Sequence, residues 1–225
     1  MCFSPEASFA GGIIISAIGI VCLKKIHHPS QIVFASIPLF FGIQQIAEGC
    51  LWIALPNPNY FVLRQISTYV FLMMADVLWP VIIPIAVLFM EKDEKRKRAL
   101  WVFLFLGIIL SLYYSSCLLL FHVFPKIERY HIKYYTDFPK SLAMAAFILY
   151  LIVTIPPLFI SSIKRMQLFG ILMFLSCLIT ALFFTQYLTS VWCFFAALIS
   201  GLIYWILRDS RRMAMIHKLK FPHLY

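Results

Sequence analysis

Glu48 and Asp76 are carboxylic acids inside stretches that otherwise read as hydrocarbon-soluble, GIQQIAEGCLW at 42–52 and MMADVLWP at 73–80. The other seven of the nine acidic residues fall in polar connections or near the chain ends. An ionised carboxylate at the middle of a bilayer costs roughly 3 kcal/mol on insertion scales, so such a group is expected to face a cavity or a partner. No Lys or Arg stands in the middle of these stretches to pair with them. The acids are then expected to be neutral through desolvation, or charged beside a cation or water. The chemistry this allows is proton handling, cation binding or general-base work.

Spacing groups further residues around the acids. Gln44, Glu48 and Trp52 recur every four residues and Gln45 precedes Glu48 by three, which puts them on one stripe of a helix. Trp79 lies one turn beyond Asp76, and Pro80 withdraws the amide that would bond the Asp76 carbonyl, leaving an oxygen free to hold a cation or proton. Tyr113 and His122, in the next apolar stretch, fall at depths that could complete a narrow polar pocket. The expected ligand or proton pocket is therefore Gln44, Gln45, Glu48, Trp52, Asp76, Trp79, Tyr113 and His122, with no residue assigned a catalytic role. Blander roles compete with this one. The two glutamines serve equally well as interhelical hydrogen-bond glue. A histidine near the interface is ordinarily just solvated, and Trp52, Trp101 and Trp192 read as interface anchors. Structural glue rarely needs a carboxylic acid, so Glu48 and Asp76 carry the functional reading.

These residues must be held by membrane helices. The chain has 225 residues, of which 63% are hydrophobic and 12% charged, with a mean hydropathy of +0.91. Its apolar runs are each near the 20 residues that span a hydrocarbon core. Seven spans are expected, at about 8–23, 31–54, 65–90, 99–123, 141–162, 168–188 and 190–207, and they are helices because backbone amides in lipid need partners within their own segment. The fold class is thus all-α, a single seven-helix integral membrane domain over 1–225. Pro156 and Pro157 predict that the fifth helix kinks or stops short. Fourteen of the nineteen Lys and Arg gather in alternate connections and the carboxyl tail. By the positive-inside rule this puts the amino terminus outside and the carboxyl terminus in the cytoplasm, in the inner (cytoplasmic) membrane. The first span reads as a retained anchor.

The net charge of +10 follows from that bias. Membrane lipids are therefore the expected partners, together with a small solute, proton or cation; nucleic acid is not, and a homo-oligomer is compatible with the pattern. FPKIERYHIKYYTDFP at 124–139 is expected to lie as an interfacial segment among headgroups in preference to a lid over the bundle. The tail from Arg208 could lie along the inner leaflet. The six cysteines have neither CxxC nor zinc-type spacing, so neither a metal site nor a cofactor is expected, and single buried thiols are favoured over a bridge among Cys2, Cys50 and Cys193.

The opening MCFSPEASFAGG and the stretch ASIPLFFGIQQIAEGCLWIAL at 35–55 resemble a family of small polytopic prokaryotic membrane proteins of unknown function. Its members open MCFS or MCWS and carry an amide or histidine followed by Gln, a Glu three residues later and a Trp four beyond that. The resemblance covers about the first quarter of the chain and falls on Cys2, Ser4, Ser8, Gln44, Gln45, Glu48 and Trp52. It implies no activity. Gln44 stands where relatives have His, which argues against an obligatory transition-metal site there.

Three functions are compatible with these residues. The first, and favoured, is proton- or cation-linked transport or permeation of a small solute. The second is an intramembrane enzyme acting on a lipid or isoprenoid, against which stands the lack of HxxxH spacing for zinc. The third is a sensor or assembly factor that signals through another chain. Retinal binding is disfavoured because the last span has no lysine for a Schiff base.

Overall fold

The computed structural model of the protein describes residues 4–128 and 130–208; the tail beyond Arg208, Cys2 and Arg129 lie outside the described residues. Seven helical stretches among these are long and apolar enough to cross a membrane: Pro5–Lys24, Pro29–Ala54, Pro58–Met90, Glu94–Leu120, Lys140–Ile160, Lys164–Phe183 and Leu188–Arg208. The first is α1 (Pro5–Lys24), begun by Ser4, whose hydroxyl accepts from the Ala7 amide at 3.3 Å, and by Pro5, which has no amide to leave unbonded. It packs antiparallel on α2 (Ile32–Ala54) along a seam of small residues. A Cβ at Gly42 would stand 2.8 Å from the Gly12 carbonyl, so the two backbones touch only because both side chains are absent.

The third stretch is α3 (Phe61–Leu72), a π-helical segment (Met73–Leu78) and α4 (Trp79–Met90). A π turn bonds each carbonyl to the amide five residues on, and the next donor in that register after Leu78 and Trp79 is Pro80, which has no N–H. In that register the Ala75 carbonyl has no backbone donor, and the Tyr150 hydroxyl donates to it at 2.7 Å. Two residues on, Ser111 of α5 (Glu94–Leu120) donates to the Val77 carbonyl at 2.6 Å. A Cβ at Gly107 would stand 2.0 Å from the Pro80 carbonyl, so only glycine lets α5 approach the proline-interrupted helix.

The segment after α5 is a β-hairpin, β1 (Val123–Glu128) paired antiparallel with β2 (His131–Thr136), Glu128 opposite His131. Ile132 is fully buried against Leu51 and Trp52, Tyr134 stacks on Phe71 at 5.0 Å, and His131 stacks on Tyr187 at 4.5 Å. The hairpin covers one end of the bundle and joins β strands to an otherwise helical fold. The segment expected among headgroups in preference to a lid thus forms two strands packed on the bundle end, where Ile132 and Tyr134 of β2 have apolar ground to bury.

The fifth stretch breaks as its prolines require, into α6 (Lys140–Thr154) and α7 (Pro156–Ile160) with Ile155 between them. α8 (Lys164–Phe183) and α9 (Leu188–Ser200, continued by a second helical piece to Arg208) complete the bundle. At the end opposite the hairpin the connections carry the basic residues, and Glu91 ties two of them together. Its carboxylate accepts from the amides of Lys92, Asp93 and Ser162 and from the Ser162 hydroxyl, at 2.7–3.1 Å. The main core, with Phe34, Leu100, Leu158, Met166 and Phe169 all but inaccessible, fills the bundle toward this basic end.

Candidate functional site

The side chains that could do chemistry collect in the half of the bundle nearer the hairpin, where α2, the π segment, α6 and α9 meet. Three of the polar residues on the α2 stripe, Gln44, Gln45 and Glu48, are fully buried. Glu48 accepts a hydrogen bond from the Ser190 hydroxyl in the first turn of α9. The Gln44 carbonyl oxygen accepts from the Trp79 indole N–H at 3.0 Å, and its side chain also lies within reach of the Cys193 thiol. Trp79 is fixed from the other side by Phe41, stacked on it at 3.9 Å. Gln45 has no hydrogen-bond partner at either end of its carboxamide. Trp52 is buried beneath Ile132 of the hairpin.

Asp76 sits in the π segment, half-buried, on the wall of a cavity of about 80 Å³. Tyr114, Phe147, Tyr150, Thr189 and Trp192 line the same space, with Cys193 beside them. The extra residue in each π turn rotates Asp76 toward α6 and α9 instead of along the α4 stripe, which is the use to which such bulges are put at many sites. A second gap of about 20 Å³, lined by Phe41, Trp79, Tyr150, Thr154, Trp192 and Cys193 among others, adjoins the first through the residues they share. It is closed toward the basic end by Ile83, Ile155 and Leu158. Gln44 and Glu48 both act on Cys193, so the α2 stripe and the Asp76 cavity are neighbours across that thiol.

The structure thus places Gln44, Trp79 and Glu48 in a buried hydrogen-bonded seam beside Asp76. It does not bring Tyr113 or His122 to the cavity. Tyr113 packs edge-to-face on Tyr114, and it is Tyr114 that lines the cavity. His122 is exposed at the root of the hairpin, its ring stacked on Phe124, and lines a separate groove with Arg64, Gln65 and Thr68. Trp192, expected at the interface, is buried and forms a cavity wall because α9 runs through the middle of the bundle. Trp52 is likewise covered, by the hairpin, whereas Trp101 is exposed on α5.

Sequence reasoning missed Tyr150, Thr189, Ser190 and Cys193. The run TSVWC at 189–193 held a signal: it places Thr189 and Cys193 one turn apart at the hairpin end of a span, the level of Glu48. A tyrosine in the middle of an apolar span, as Tyr150 is, held another. Among the described residues no group of three or more His, Cys, Asp or Glu has the arrangement of a metal site, and the five described cysteines are free thiols. What the arrangement offers instead is one buried carboxyl held by a hydroxyl, and a second on the wall of a small cavity.

No curated protein and no solved structure matches the chain. A family whose own description is "family of unknown function" matches residues 1–218, well beyond the first quarter in which the MCFS opening and the Gln-Gln-x-x-Glu stripe fall. The chain with its seven spanning-length helices therefore belongs to that family, DUF6629.

Proposed function

We propose that this protein is a multi-pass protein of the inner (cytoplasmic) membrane, with its amino terminus outside, that binds a proton or small cation at Asp76 and Glu48 and couples it to movement of a small solute. The observation that carries the reading is the Asp76 carboxyl on the wall of an 80 Å³ cavity, one helix away from the buried Glu48–Ser190 pair. Acids are expensive within spans and are tolerated where they face a partner or a cavity. The cavity has room for a few waters or a small ion, far short of the roughly 300–1,000 Å³ of pockets that enclose drug-sized ligands. That size favours ion handling at these acids over chemistry on a whole lipid enclosed beside them.

The orientation is supported by the concentration of Lys and Arg in the connections at the Glu91 end and in the tail. The hairpin and the acids then belong to the outer half. The apolar floor at Ile83, Ile155 and Leu158 favours a carrier that changes shape over an open pore.

The test is proton flux in liposomes that hold a pH-sensitive dye, driven by a potassium diffusion potential. Wild-type protein is expected to acidify or alkalinise the lumen according to the sign of the potential, and Glu48→Gln and Asp76→Asn each to abolish the response. Equal flux in wild type and both variants would sink the reading.

A further inference from the structure

We infer that the Asp76 cavity is an aromatic cage for an organic ammonium cation, the ammonium head of a small amine or quaternary ligand. The inference rests on the reading of Asp76 as a cation-binding acid and names the chemical class of the cation. Four rings, Tyr114, Phe147, Tyr150 and Trp192, line the space with one carboxylate, and among the described residues no Lys, Arg or His lines it. The Tyr150 and Trp192 rings stand 5.6 Å apart at 69°, which makes two walls of a corner. The four rings make much of the lining aromatic, and a desolvated cation held against the face of such a ring is strongly attracted.

The composition of the walls sets the cation apart from a metal ion. A bare sodium or potassium ion needs a shell of oxygens, and here Asp76, Thr189 and the tyrosine hydroxyls are outnumbered by ring carbon. The Tyr150 hydroxyl is moreover already directed at the Ala75 carbonyl. An alkylammonium spreads its charge over methyl or methylene groups that need no hydrogen bonds, and rings satisfy them better than oxygen does. Asp76 supplies the single neutralising charge. A primary or secondary amine would add an N–H bond to Asp76 or Thr189. The volume of about 80 Å³ suits such a head and leaves the remainder of a larger ligand to extend out through the opening.

Two sources supply this chemistry, a free amine and the trimethylammonium headgroup of a choline lipid. The experiment is titration of the full-length protein with tetramethylammonium chloride at constant ionic strength, read by calorimetry. It is run in maltoside micelles and in nanodiscs of either phosphatidylcholine or phosphatidylglycerol. Saturable binding in micelles is expected, with sodium at equal concentration failing to compete. Asp76→Asn is expected to weaken binding at least tenfold. Trp192→Phe, which keeps a ring of weaker quadrupole, should weaken it by a smaller factor, and His122→Ala, remote from the cage, should leave it unchanged. Tenfold weaker binding in phosphatidylcholine discs than in phosphatidylglycerol discs would assign the site to the lipid headgroup, and equal binding would assign it to a free amine. Absence of saturable binding to wild type, displacement by sodium, or full affinity in Asp76→Asn would overturn the inference. Proton flux that depends on Asp76 in a protein that ignores tetramethylammonium would overturn the cage alone and leave the ion-handling function standing.

Discussion

Gln44 and Gln45 are neighbours in the chain and equally buried, yet their removal has opposite expected consequences. Replacing Gln44 by Leu leaves the Trp79 indole N–H buried without its acceptor, which costs about 1–3 kcal/mol. Replacing Gln45 by Leu removes a carboxamide that has no protein partner at either end, so the variant should be as stable as wild type or more so. Denaturant unfolding of the two variants in micelles measures the contrast, and a Gln45→Leu protein that loses more stability than Gln44→Leu would refute it. The two acids were legible in the sequence because charge inside an apolar run stands out. Their surroundings were less so. Tyr150, Trp192 and Cys193 reach Asp76 from two other helices, and the polar residues of α5, Ser111 and Tyr113 to Ser116, fall on all sides of the helix, so its rotation is not set by pattern. A rotation of one residue decides between Tyr113 and Tyr114.

The π segment owes its geometry to its neighbours. Pro80 and Pro84 each remove a backbone donor, and three devices on other helices absorb the loss: the Tyr150 hydroxyl, the Ser111 hydroxyl and the bare Cα of Gly107 against the Pro80 carbonyl. Gly107→Ala would force α5 away from that carbonyl by more than a side-chain adjustment can absorb, and overpacking of this kind costs about 1–3 kcal/mol or more. The expected readout is a lowered unfolding midpoint together with weakened proton flux, since the shift falls one turn from Asp76. A Gly107→Ala protein that matches wild type in both would show that the approach is not tight. Prolines at 80, 156 and 157 announced irregularity in the sequence, and the break at Ile155 lies where the last two require it. The hairpin was not announced. The sequence between Glu128 and His131 has no Asn-Gly or Gly to mark a turn, and Pro125 interrupts the first strand, tolerable in a two-stranded sheet where both strands are edges.

The two ends of the molecule are built differently. The hairpin end is covered by stacked rings and a few buried aliphatic side chains. The basic end is pinned by a carboxylate with four donors, so the turn after α4 and the turn before α8 move as one piece. Burial alone would raise the Glu91 carboxyl, but the amides of Asp93, Ser162 and Lys92 and the Ser162 hydroxyl outweigh it and hold it below the ordinary carboxylate value. The folded state therefore favours the charged form. The resulting stability is fully present above the usual carboxylate pKa of about 4.3 and is lost as the pH falls through the lowered value. Glu91→Gln should cost about 1–3 kcal/mol at neutral pH, and the gap from wild type should close as the solution is taken toward pH 3. A gap that is constant with pH in micelle unfolding experiments would contradict this account.

That pinned end gives the break at Ile155 a mechanical meaning. Beyond it, α7 is tied to the basic end, the Ile160 carbonyl accepting from Arg96 at 3.0 Å and Ser162 held by Glu91. Before it, α6 is joined to the π segment by the Tyr150 hydroxyl on the Ala75 carbonyl. The two attachments thus fall on opposite sides of an interrupted helix. Phe147 and Tyr150 both stand on the piece before the break, so two walls of the Asp76 cavity belong to a backbone segment that is not continuous with the one pinned at the basic end.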